Sequence, residues 1–157
     1  MLRRALLAAA CGALLLVIPA SADAMIQVDQ GIAGARIGNS RAEVRAALGT
    51  PTRVRTGTND FGTFTEYRFT GGIRVFFQGG TSVTSVSTTG LGDRTSRHVG
   101  VGSSERAVRR RVPGVKCETT AGSRSCHTGS FLPGKRVTDF TIRNSRVTRV
   151  TVGIVID

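Results

Sequence analysis

Few side chains in this chain could do chemistry near neutral pH, and they stand apart. The histidines are His98 and His127, and the cysteines are Cys11, Cys117 and Cys126. A zinc-type metal centre needs clustered ligands, and neither H-E-x-x-H nor a second cysteine pair occurs. Both histidines therefore read as solvated surface groups. Covalent catalysis needs a nucleophile beside a base. Serines and threonines abound, but none occupies a G-x-S-x-G elbow. The neighbours Cys126 and His127 would make a nucleophile only if the thiol were free. Asp60, Glu66, Asp93, Glu105, Glu118 and Asp139 are scattered, with no close pair of the kind that cleaves glycosidic bonds. Gly100 and Gly102 precede a helical stretch, but no G-K-S/T follows to cradle a phosphate. The residue types thus predict no enzyme, no metal and no cofactor.

The cysteines have another use. Residues 1–24 read MLRRALLAAACGALLLVIPASADA. Arg3 and Arg4 start the segment, a small and apolar run from Ala5 to Ile18 follows, and Pro19 breaks any helix. Two A-x-A sites then end at Ala22 and Ala24. This is the pattern of a secretory signal peptide, cleaved near Ala22 or Ala24. Its apolar run is too short and wrongly flanked for a good transmembrane span. Ala8-Ala9-Ala10-Cys11 faintly resembles a lipoprotein cleavage site. The branched residue usual three places before the cysteine is missing, and the apolar run continues, so a lipid anchor at Cys11 is disfavoured. Cleavage leaves Cys117 and Cys126, an even pair in an exported chain, and predicts a disulfide. Folding back around Ala121-Gly122 pairs Thr120 with Ser123, Thr119 with Arg124, Glu118 with Ser125 and Cys117 with Cys126. With a two-residue turn that last pair is a non-hydrogen-bonded site, where side chains approach most closely. Ala-Gly is a mediocre two-residue turn, so a longer loop stays open.

Charge is the other chemical feature. Lysines and arginines number 22 against 10 acidic residues, a formal charge of +12, and only Lys116 and Lys135 are lysines. Loss of residues 1–24 removes Arg3, Arg4 and Asp23 and leaves about +11. Such a charge draws a protein to anionic surfaces. Arg106, Arg109 and Arg110 crowd one helical stretch, and Arg143, Arg146 and Arg149 the last hairpin. These six are the candidate contacts for an anionic membrane, a cell-wall polymer or an acidic protein patch. The same composition also describes solvated strand faces. Nucleic acid is not expected, because export argues against it and stacking aromatics are not evident.

Two groups of elements would position these residues. Val and Thr are abundant, which favours strands. The chain also repeats at an offset of 64 residues. Ile37-Gly38-Asn39-Ser40 matches Val101-Gly102-Ser103-Ser104, Val44-Arg45 matches Val108-Arg109, and Leu48 matches Val112. Ile73 matches Val137, Phe76 matches Phe140, and Val83 to Val86 matches Val147 to Val150. Each half opens with a helix. Ser40-Arg41-Ala42-Glu43 fits a capping box, Val44, Ala47 and Leu48 form a buried stripe, and Gly49 with Pro51 stops the helix. In the second half Ser104 caps, Val108 and Val112 are buried, and Pro113-Gly114 is the stop. Strands are predicted at 52–56, 63–70, 72–77 and 82–88, then at 115–120, 123–130, 136–143 and 146–156. The polar stretch Gly90 to Arg97 reads as a connector. The expected fold is α+β: two tandem helix-plus-antiparallel-sheet units sharing a core, residues 25–92 and 93–157, the second carrying the disulfide.

The run from Gly31 to Pro51, GIAGARIGNSRAEVRAALGTP, resembles the opening of the SmpA/OmlA (BamE-like) domain. The tandem arrangement, with a cysteine pair just after a helix, is similar to β-lactamase-inhibitor proteins. The resemblance implies a helix-on-sheet fold, export to the envelope and no enzymatic activity. It implies a partner that is another envelope or secreted protein. No inhibitor contact residue carries over, because the inhibitors use an aromatic-rich concave sheet and this chain has one Tyr, seven Phe and no Trp. The expected function is a non-enzymatic protein-binding module. The alternative is a structural envelope component docking electrostatically on an anionic polymer or membrane.

Overall fold

Valine, threonine and aromatic residues alternate through much of the chain, and that pattern forms strands wherever turns let them pair. The computed structural model describes residues 25–156. Residues 1–24, the segment expected to be a signal peptide, with Cys11 and the two candidate cleavage sites, lie outside the described residues. The order is β1 (Met25–Gln27), β2 (Gly31–Ile32), β3 (Ala35–Arg36), α1 (Arg41–Leu48), β4 (Arg53–Asn59), β5 (Gly62–Arg68), β6 (Arg74–Gln78) and β7 (Ser85–Thr88). It continues with β8 (Arg94–Thr95), α2 (Glu105–Arg111), β9 (Lys116–Thr120), β10 (Ser123–His127), β11 (Arg136–Arg143) and β12 (Arg146–Ile154).

These strands form one eight-stranded sheet in the order β4-β5-β6-β7-β12-β11-β10-β9, and one small sheet in the order β3-β2-β1-β8. Every pairing in the large sheet is antiparallel. The seam between its halves is β7 on β12, where Val86 faces Val152 and Ser87 faces Thr151. In the small sheet β1 runs parallel to β8, so the expected connector, Gly90 to Arg97, contains a two-residue strand.

The structure corrects the fold expected from sequence. The protein is mostly β, and it is not two helix-plus-sheet units. The physical reason lies in the helices. They have eight and seven residues, and each buries one side chain, Val44 in α1 and Val108 in α2. Ala47, expected in a buried stripe, is exposed. So little helix cannot cover four strands. The cover is completed by the small sheet, whose Ile26, Ile32 and Ala35 join a single core with Val44, Phe77, Val86, Val108, Phe140 and Val152. The two sets of four strands fuse edge to edge instead of each closing its own layer.

What recurs at an offset of 64 residues is local hydrogen bonding. Gly38 N donates to Val83 O at 2.9 Å, and Val83 N to Asn39 O at 2.8 Å. Gly102 N likewise donates to Val147 O at 2.7 Å, and Val147 N to Ser103 O at 2.9 Å. Ser40 and Ser104 both cap their helices through the side chain, and Glu43 completes a capping box in α1. The loop just before each helix is therefore pinned to the large sheet, at Val83 ahead of β7 and at Val147 early in β12.

The β9–β10 hairpin turns on two residues, Ala121 and Gly122, with φ of 47° and 78°. Both angles are positive, as a primed two-residue turn requires. The resulting register opposes Cys126 to Cys117, and the two are bonded.

Candidate functional site

Side chains alternate across a strand, so register assigns each residue to a face. Tyr67, Val75, Phe77, Val86, Phe140, Val150 and Val152 point to the side where both helices and the small sheet lie, and all are buried. On the opposite face neither helix nor the small sheet lies over the β4–β7 half, while Phe131, between β10 and β11, packs over His127 at the other end. One register row crosses all eight of its strands: Arg53, Arg68, Arg74, Ser87, Thr151, Asp139, His127 and Lys116. One end of that row is three arginines.

Beside those arginines sits an aromatic pair. Phe64 on β5 and Phe76 on β6 stack with ring centroids 4.9 Å apart and planes inclined at 21°. The Arg55 guanidinium lies 5.3 Å from the Phe64 ring centre. Phe64 lies over Gly57 of the edge strand, where a Cβ would come within 2.8 Å of the ring. The missing side chain lets the ring rest on backbone. Glu66, nearly buried on this face, accepts from Arg68 Nη2 at 2.9 Å and lies 3.6 Å from Arg74 Nη1. The patch is thus aromatic at its centre and cationic at its rim.

The six arginines singled out by sequence do not form one surface. Arg143 and Arg149 line a shallow recess with Thr141 and Thr148 on the uncovered face. A register shift between Thr141 and Ile142 turns that end of the hairpin. Arg106, Arg109 and Arg110 stand on α2, on the covered side. Arg109 Nη2 pairs with Glu105 Oε1 at 2.9 Å. Arg146 donates to the carbonyl of Gly102 at 2.9 Å and ties the hairpin to the loop before α2. Arg106 shares a recess with Ser104 and Ser145.

Glu105 is the hub on that side. Arg124, on β10, reaches its Oε1 at 2.5 Å. The hydrogen bond from Arg124, helped by Arg109, holds the Glu105 carboxyl below the usual carboxylate range. The same bond raises the Arg124 guanidinium. Glu105 also lies beside the sulfurs of Cys117 and Cys126. Those sulfurs are bonded to one another, so this trio offers no thiolate to a metal.

His127 departs from its expected place in solvent. It is buried, its ring centre lies 4.6 Å from that of Phe131, and Nε2 is 3.3 Å from Glu118 Oε1. His98 is exposed, a turn residue at φ 58°. The Phe64–Phe76 pair was not singled out from sequence. Its signal was there: position 64 on β5 and position 76 on β6 are out of phase with Tyr67 and Phe77, the aromatics that face the core.

No family model matches the chain, and no curated protein matches it in sequence. Among solved structures it is similar to a DUF4309 family protein from Bacillus subtilis, with TM-score 0.51 and 18% identity, covering 77% of this chain and 82% of that one. It is similar to an extracellular protein containing an SCP domain from Bacillus anthracis, with TM-score 0.52 and 10% identity, covering 75% of this chain and 44% of that one. A cysteine-rich secretory protein from Staphylococcus aureus gives TM-score 0.48 at 13% identity, over 75% of this chain and 44% of that one. The chain spans less than half the length of the latter two. At these identities the likeness is one of fold.

Proposed function

We propose that the protein is an exported, non-enzymatic binding module of the cell envelope or extracellular space, and that the uncovered sheet face docks on another protein. The observation that carries this reading is the Phe64–Phe76 stack on the one face that neither helix nor small sheet covers. An aromatic anchor ringed by arginines is the composition of an interface centre. Export is supported by the signal-peptide pattern of residues 1–24, by the Cys117–Cys126 disulfide, and by the extracellular description of one fold relative. The resemblance of residues 31–51 to the SmpA/OmlA (BamE-like) opening points the same way.

A second reading has its own observation. Arg143 and Arg149 share a recess with two threonines and have no carboxylate partner among the described residues. They suit electrostatic docking on an anionic polymer or membrane. Salt separates the readings, because exposed charges are screened while packed apolar contact is not. Envelope fractions holding the protein are washed at rising salt. Retention at high salt, lost in a Phe64→Ser/Phe76→Ser variant, supports the protein interface. Release by salt alone, indifferent to the phenylalanines, supports the electrostatic reading instead.

A further inference from the structure

Four segments far apart in the chain enclose a recess of about 410 Å³ on the covered side of the molecule, away from the aromatic face. The β1–β2 turn supplies Asp29, the turn after β8 supplies Ser96 and Arg97, the end of α2 supplies Arg111, and the residue after β10 supplies Thr128. A volume of this size suits a small molecule.

The charged groups around it are not paired with one another, and one of them is fixed. Asp29, at φ 59°, is locked in place. Its amide donates to Thr138 Oγ1 at 2.6 Å, and its Oδ1 accepts from the hydroxyls of Thr128 at 2.6 Å and Thr138 at 2.9 Å. Both bonds to the carboxylate end on Oδ1, and Oδ2 is left to accept from something else. Arg97 stands at the tip of a tight turn closed by Thr95 N to Val99 O and His98 N to Thr95 O, both 2.8 Å. Neither Arg97 nor Arg111 makes an ion pair or hydrogen bond among the described residues, although Asp29 lines the same recess.

Two free guanidiniums and one half-used carboxylate complement a ligand of the inverse pattern. We propose that this recess binds a small amino dicarboxylate, with its two carboxylates on Arg97 and Arg111 and its ammonium on Asp29 Oδ2. Each guanidinium can hold a carboxylate through two parallel hydrogen bonds, which gives selectivity for planar anions. The site is independent of the uncovered sheet face, so either can fail without the other.

Titration calorimetry on the purified protein tests it with glutamate as the probe, and with glutarate, which lacks the ammonium, and lysine, which has the wrong balance of charge. Glutamate is expected to bind at millimolar concentrations, glutarate about tenfold more weakly, and lysine not at all. Arg97→Ala and Arg111→Ala should each weaken glutamate by about tenfold while leaving the melting temperature unchanged, since both side chains are exposed. Absence of glutamate binding overturns the proposal. So does equal binding of all three probes, or binding that neither arginine variant weakens.

Discussion

Phe64 and Phe76 lie against one another across adjacent strands, 4.9 Å between ring centres, on the side of the sheet turned away from the core. Their stacking cannot be ascribed to the core cluster, which neither joins. The pair stabilises the β5–β6 contact only modestly, because both rings remain partly exposed. Phe64→Ser should therefore cost about 1 kcal/mol in urea unfolding. A cost comparable to a core phenylalanine would mean that this face is structural.

The disulfide closes a short loop, with a sequence separation of 9. Its main effect is on the unfolded chain. The Cys117→Ser/Cys126→Ser double variant should lose about 2–3 kcal/mol of unfolding free energy, read as a lower urea midpoint. Reductant should move the wild type toward the variant and leave the variant where it is. Equal midpoints with and without reductant would show that the bond adds nothing.

Glu105 links α2 to β10 through Arg124, and its carboxyl is held below the usual range. A depressed folded value means that the unfolded chain takes up the proton first as pH falls. The contribution to stability is then present above the ordinary carboxylate value and fades as pH drops through the lowered one. Urea midpoints of wild type and Glu105→Gln should differ by a constant amount near neutrality, and the gap should close below about pH 4. Parallel curves down to pH 3 would leave the pair without a role in acid stability.

Glycines offer a contrast. A Cβ on Gly100 would collide with the carbonyl oxygen of Asp93, whereas one on Gly80 would meet nothing within 4 Å. Gly100→Ala should cost at least about 2 kcal/mol, and Gly80→Ala under about 0.5 kcal/mol. Thermal melting of the two variants decides it. Equal melting points would contradict the close approach of the loop before α2 to the β8 segment.

The helix caps, the hairpin pairing and the disulfide were legible because each rests on residues close in sequence. Ser40 with Glu43, and Cys117 with Cys126 around a two-residue turn, are local patterns with local causes. The fold class was not legible for the opposite reason. Strands as short as Gly31–Ile32 and Arg94–Thr95 carry no periodicity, and only their pairing with Met25–Gln27 makes them a covering layer. The fusion through β7 and β12 depends on residues roughly 64 apart, and nothing in Ser85–Thr88 advertises its partner. The basic residues show a third case. Sequence neighbours such as Arg143 and Arg146 share a hairpin, yet Arg146 is spent on a carbonyl while Arg143 stays available. Charge counting cannot see that difference. The aromatic pair was missed because alternation was read for the core-facing phase alone.

The face bearing Phe64 and Phe76 is the one proposed to meet a protein. The most direct measurement is photocrosslinking in the native envelope, with a photoreactive residue placed at position 76 in one sample and at Arg106, on α2, in another. A discrete protein adduct is expected from position 76, persisting in high salt, and none from position 106. Adducts from position 106 alone, or lipid and polymer adducts from both, would contradict it.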